Sequence, residues 1–273
     1  MPYQDADILP DGSLFAYWEQ EPTFTKTYYV AQNHPQASDD NPGTQEQPFA
    51  TIGRAAALLQ PGERVIIDSG LYREFVQPAR GGTGTTQMIS YEAAPTAVVT
   101  ITGAEIWQTD WQPSTGWHVE NPAPGARVWW GRLPGSKFDG INPFSITNLP
   151  KAARTSKDVR EALLKYDRPD YWMRRGLLFI DGQPLRQVLD YTTVWQEPGT
   201  FWVEDDGVQI HFRLADDGDP RDHLVEFTAR QQCFQPAKPY QGYIRVKGLR
   251  FEKVGNGIPV PQHAALSTFC GHH

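Results

Sequence analysis

The sequence predicts an all-β protein: a parallel β-helix with a short N-terminal capping helix and an inserted β-sandwich. Three observations lead there. The 24 Gly and 23 Pro among 273 residues signal many turns and short strands rather than a helical bundle. Strand-like runs recur at a nearly fixed interval, Val65–Asp68 and Met88–Tyr91 being 23 residues apart and Tyr72–Val76 and Val98–Thr102 about 25, a period suited to one coil of a solenoid. Finally, Asp181-Gly182 and Asp206-Gly207 each lie between two apolar runs, a strong signal for antiparallel hairpins that break the parallel pattern.

Residues 1–27 read as an irregular lead-in, with a turn at Pro10 to Gly12 and the aromatics Phe15, Tyr17 and Trp18 available for packing. Residues 28–104 read as the first coils. They open with a strand at Tyr28 to Ala31, a polar loop, one short helix and a strand at Arg64 to Asp68. Phe49, Ile52, Ala56 and Leu59 share one helical face, and Pro61-Gly62 stops the helix. Its place before the first full coil makes it a cap, since an uncovered end would expose apolar side chains and unpaired strand groups. Residues 105–223 read as the insertion. Within it Ser156 is an N-cap ahead of a surface helix with Val159, Leu163 and Tyr166 on one face. From 224 to 273 the solenoid resumes with "HLVEFTARQQCF" and "YIRVKGLRFEKV", Val225 and Ile244 being 19 residues apart, with Gly248 at a corner. The closing stretch, "GNGIPVPQHAALSTFCGHH", carries no polar or helical cap. A C-terminally truncated solenoid is therefore expected, its functional coils lying beyond His273.

A formal net charge of −7 argues against a broad basic surface for nucleic acid or anionic lipid. The first residues have no basic start followed by an apolar stretch, and no 18-residue apolar run follows, so neither an export signal nor a membrane span is expected. A cytoplasmic protein and a mature secreted form both fit. Cys233 and Cys270 allow one disulfide at most and read as ordinary buried thiols. No cofactor or metal is expected. Asp39-Asp40-Asn41 lacks the spacing of a calcium loop and reads as a solvated turn, while the acids at 205–206 and 216–219 suit hairpin and loop tips. "GGTGTT" from Gly81 to Thr86 lacks the Lys of a phosphate loop and reads as a coil corner. Trp107, Trp111, Trp117, Trp129 and Trp130 crowd the insertion; they are core residues of a sandwich or platforms for sugar rings. In the segment from Asn256 to His263, the side chains of Asn256, Gln262 and His263 are candidate readers of sugar hydroxyls; the alternative is a plain Pro-rich loop.

"YYVAQNHPQASDDNPGTQEQPFATIGRAAALLQPGERVIIDSGLYRE" resembles the opening coil and capping helix of the pectate-lyase-like right-handed parallel β-helix proteins. "GLYREFVQPARGG", "ISYEAAPTAVVTITGAEIWQTDWQ", "INPF" and "VEFTARQQCFQP…YIRVKGLRFEKV" are together similar to the glycoside hydrolase family 120 β-xylosidases and their relatives, over residues 28 to about 256. The resemblance implies an immunoglobulin-like β-sandwich inserted between early coils. It also implies retaining hydrolysis of a β-xyloside through a covalent glycosyl-enzyme, with the nucleophilic Asp and the acid/base Glu on later coils. No catalytic residue is thereby assigned within this chain, and the partner implied is an oligo- or polysaccharide. A polysaccharide lyase and a non-enzymatic glycan-binding module on the same fold are the competing expectations. Homo-oligomerisation through exposed β edges of the insertion is a further possibility.

Overall fold

The computed structural model describes Gly12 and residues 22–149, 156–165, 171–255 and 264–268. Phe15, Tyr17, Trp18, Cys270 and the proposed hydroxyl readers Asn256, Gln262 and His263 lie outside the described residues. The protein is mostly β with few helices. Strand β1 (Lys26–Val30) turns Tyr28 and Val30 inward by the two-residue alternation of a strand. Strand β2 (Glu63–Ile67) lies parallel beside it, Tyr28 opposite Val65 and Val30 opposite Ile67. After β3 (Gly70–Tyr72) comes β4 (Ile89–Ala93), which extends the first ladder parallel to β2. Strand β5 (Val99–Thr102) then pairs in parallel with β3. The chain thus visits two parallel ladders in turn. Val65 pairs with Tyr91 rather than with Met88, because the loop from Gly81 to Met88 takes up residues that the simple interval counts as strand.

Helix α1 (Ile52–Leu58) starts where Thr51, in an extended conformation, accepts the Arg54 N–H at 3.1 Å. Phe49, Ile52, Ala56 and Leu59 are all buried as the face predicts, although Phe49 precedes the helix proper. Glu74 receives the N–H groups of Ile52 and Gly53 at 2.9 and 2.7 Å, satisfying donors that a helix start leaves without intrahelical partners. Burial pushes the Glu74 carboxyl up, and these two bonds oppose the rise.

At Gly103 the chain leaves the ladders. It builds β6 (Ala104–Ile106), β7 (Gln112–Pro113), β8 (Trp129–Arg132), β9 (Leu178–Ile180), β10 (Gln183–Pro184), β11 (Arg186–Gln187), β12 (Thr200–Val203), β13 (Gln209–Arg213) and β14 (Val225–Thr228). One sheet runs β10-β9-β14-β6 and the other β11-β12-β13-β8-β7. Leu178, Val225 and Phe227 of the first share a core with Trp129, Phe201, Ile210 and Phe212 of the second. Asp181 and Gly182 both have positive φ, 49° and 80°, as the two-residue hairpin between β9 and β10 requires. The second sheet is covered on its other face by the short helix Tyr191–Gln196, which packs Val194 with Val128 and Val188. The surface helix forms at Lys157–Leu164, with Val159 exposed.

The run beginning at Val225 corrects the sequence reading. It does not resume the parallel ladders but pairs antiparallel with both β6 and β9. Its four residues are all buried, so the alternation that would betray an antiparallel strand is absent. Return comes four residues later, where the N–H groups of Ala229 and Arg230 both bond to Gly103 O at 2.8 and 3.0 Å. Phe234 then bridges in parallel to Val76 and to Leu266. Strands β15 (Ile244–Lys247) and β16 (Leu249–Glu252) extend the two ladders beside β4 and β5. Gly248, φ 73°, makes the corner between them.

Buried charges lock the two cores together. Glu226 on β14 receives Arg73 at 2.6 Å and Lys253 at 2.5 Å, the two cations flanking the coil strands β3 and β16. Nearby, Arg230 bonds to Glu105 at 2.7 Å. Among the described residues, no helix is long and apolar enough to cross a membrane.

Candidate functional site

Strand alternation that buries one set of side chains in the coils sends the other set outward in transverse rows. The ladder register places Tyr29, Ile66, Glu92 and Lys247 in one such row, and Thr27, Arg64, Ser90 and Arg245 in the next. Above them lies a groove of about 740 Å³, walled by Ala31, His34, Gln45 and Pro48 on one side and by Ala93 to Pro95 on the other. Its floor is apolar at Tyr29 and Ile66, while Arg64, Asp68, Glu92 and Lys247 supply charge.

Glu92 is the buried charge of this face. Ser90 Oγ donates to its Oε1 at 2.7 Å, and the guanidiniums of Arg245 and Arg64 flank its two oxygens at 3.5 and 3.6 Å. Arg64 is positioned in turn by its Nε bond to Thr27 Oγ1 at 3.1 Å. The carboxylate is thus spent on ordering two cations along the face. What remains open is a flat apolar strip with charged and hydrogen-bonding groups at its margins, an arrangement that binds a polar ligand having one apolar face.

A second constellation lies in the antiparallel unit. Ser114 Oγ is 2.7 Å from His211 Nδ1, and His211 Nε2 is 2.8 Å from Glu204 Oε1. Hydroxyl, imidazole and carboxylate in series are the parts of a nucleophile relay. Such a relay needs a hydroxyl that substrate can reach, whereas Ser114 is 1% exposed and its oxygen also bonds to Tyr191 Oη at 2.7 Å. The chain of bonds is a polar tie beneath the helix Tyr191–Gln196. Burial holds the His211 imidazole below its usual range, and the bond to Glu204 opposes this only in part.

Other sequence-level candidates resolve into structural roles. Asp39 accepts the N–H groups of Ala50 and Thr51 at 3.0 and 2.9 Å and the Thr51 hydroxyl at 2.7 Å. The first two glycines of "GGTGTT" serve close packing, since a Cβ on Gly81 would meet Gly242 O at 2.3 Å and one on Gly82 would meet Gln87 O at 2.4 Å. Trp107, Trp111 and Trp129 are core residues, Trp130 stacks on His211, and Trp117 is 52% exposed. Cys233 is a free thiol in the coil core, pushed up to about 12 by burial. The sequence reading missed Arg64, Glu92, Arg245 and Lys247. Their signal was the charged outward position in "ERVII", "ISYEA" and "IRVK", which acquires meaning once the ladder register aligns the three strands.

No family model and no curated protein sequence matches the chain. Among solved structures, it is similar to XylC in complex with xylose, with a TM-score of 0.66 and 25% identity over 85% of this chain. The match takes in 36% of the XylC chain, so the present chain spans about a third of that protein's length. A structure described as a glycoside hydrolase matches at a TM-score of 0.47 and 12% identity, over 84% of this chain and 51% of that one. The chain therefore shares its fold with part of XylC, a protein solved with xylose.

Proposed function

We propose that the chain is the N-terminal part of a carbohydrate-active enzyme, a right-handed parallel β-helix carrying an immunoglobulin-like insertion over about residues 104–228. Its reaction in the whole protein is retaining hydrolysis of a β-xyloside, by carboxylates beyond residue 273. The observation that carries this reading is the likeness to XylC over 85% of the chain, a structure solved with xylose bound. The outer groove on the first ladder then serves as part of the sugar-binding surface, with Tyr29 beneath the sugar and Lys247 and Asp68 at its hydroxyls.

A feature of the coil formed by β15 and β16 supports further coils. Ile89, Tyr91, Val99 and Ile101 are wholly buried, whereas their register partners Ile244, Val246, Leu249 and Phe251 are only partly so. These partners line an apolar hollow of about 630 Å³, which another coil would cover. A non-catalytic glycan-binding module is the second reading, favoured by the engagement of Glu92 with Ser90, Arg64 and Arg245.

Turnover of an aryl β-xyloside by the chain continued past His273 tests the proposal. Hydrolysis is expected in the extended protein, with Tyr29→Ala raising KM about tenfold at unchanged kcat, as loss of uniform binding does. Binding of xylo-oligosaccharide without any turnover would leave the glycan-binding module in place of the enzyme.

A further inference from the structure

The antiparallel unit carries a cavity of about 320 Å³ that belongs neither to the outer groove nor to the Ser114–His211 tie. It lies between the Thr147–Arg174 bridge and the sheet margin formed by β11 and β12. Trp172, Arg174, Gln187, Leu189, Trp202 and Asp205 line it. We propose that this cavity is a second carbohydrate site, one that takes a neutral pyranose unit of a glycan chain between Trp172, Trp202, Arg174 and Asp205.

The walls are held in place before any ligand arrives. Trp202 is set edge-on to Trp117 at 5.5 Å and tilted against His211 at 5.4 Å. Gln187 accepts the Arg174 N–H and donates to the carbonyls of Arg174 and Gly176 at 3.2 and 3.3 Å, so that side chain orders the backbone from which Arg174 projects. The guanidinium itself is under-used. It reaches Ser145 O at 3.4 Å and Asp205 Oδ1 at 3.6 Å, both longer than the 2.7–2.9 Å of a charge-assisted bond. Donor capacity therefore remains on Arg174, and acceptor capacity on the exposed Asp205 at the mouth.

These parts select among ligand classes. One cation and one carboxylate leave the cavity without net charge, which disfavours phosphorylated ligands, and Arg174 repels the quaternary ammonium that an aromatic cage would take. Indole faces cover the C–H face of a sugar ring, while a guanidinium and a carboxylate hold vicinal hydroxyls as donor and acceptor. The volume lies at the small end of ligand sites, which suits one or two rings. The proposal rests on the glycan-handling reading but not on the outer groove or on turnover.

Titration of the chain with xylohexaose, followed by calorimetry and tryptophan fluorescence, tests it on wild type, Trp172→Ala, Asp205→Asn and the groove variant Tyr29→Ala. Asp205 is wholly exposed, so its substitution probes binding without disturbing the fold, and circular dichroism checks Trp172→Ala. Affinity about tenfold weaker, a loss of about 1.4 kcal/mol, is expected in both site variants for a binding event that Tyr29→Ala leaves intact. Full affinity in Trp172→Ala and Asp205→Asn, with binding lost in Tyr29→Ala, overturns the second site and leaves the glycan reading standing. Wild type that binds neither xylohexaose nor a panel of other neutral oligosaccharides overturns the glycan reading and this site with it.

Discussion

Two histidines show how side chains of one type are driven apart by their surroundings. His211 is buried and depressed; His223 is raised by its bond to Asp181 Oδ2 at 2.7 Å, against a smaller desolvation effect. For His211 the unfolded chain binds the proton more readily, so its contribution to stability falls as pH drops below about 6.5. For His223 the sign reverses: the bonus is complete below about pH 6.5 and fades as pH rises through the folded value. NMR titration of the imidazole resonances, assigned with His211→Asn and His223→Asn, should place His211 below and His223 above the free-histidine midpoint. The reverse order would contradict the buried tie and the Asp181 pair.

Helix α1 has seven residues, too short to persist without tertiary support. It is held by Phe49, Ile52, Ala56 and Leu59 in the coil core, by Glu74 at its first amides and by Asp39 at its lead-in. Asp39→Ala leaves two backbone donors and the Thr51 hydroxyl without their acceptor. It should cost about 1–3 kcal/mol in urea denaturation. Calcium at millimolar concentration should leave the wild-type Tm unchanged, because the oxygens of Asp39 are already engaged; a calcium-dependent rise would show that the acidic loop is a metal site after all.

On the scale of the molecule, stability depends on how the excursion from Gly103 to Ala229 is fastened to the ladders. Glu226 stands at that junction. Burial disfavours its ionised form, but Lys253 and Arg73 together outweigh burial and hold the carboxyl below its ordinary range. A depressed carboxylate stabilises the fold above its unfolded value and loses that contribution as pH falls through the folded one. Glu226→Gln leaves two partly buried cations uncompensated and should destabilise the protein by about 3–5 kcal/mol at neutral pH, with the gap to wild type narrowing in acid. A gap that stays constant with pH would mean that the ion pairs are not what joins the two cores.

Local chemistry made much of this fold legible. The two Asp-Gly turns, the Pro61-Gly62 stop, the buried face from Phe49 to Leu59 and the Gly248 corner are short-range signals, each tied to a backbone angle or a periodicity that neighbouring residues specify. The destination of Val225–Thr228 was hidden, because a strand buried on both faces shows no alternation and its partners β6 and β9 are far away in sequence. The groove was hidden for a related reason. Arg64, Glu92, Arg245 and Lys247 are unremarkable polar residues along the chain, and they become one surface only when strands from separate coils fall into register. Register between the strands is set by the packing of the inward rows, so the inward pattern can be read from sequence while the outward site it creates waits on the folded coils.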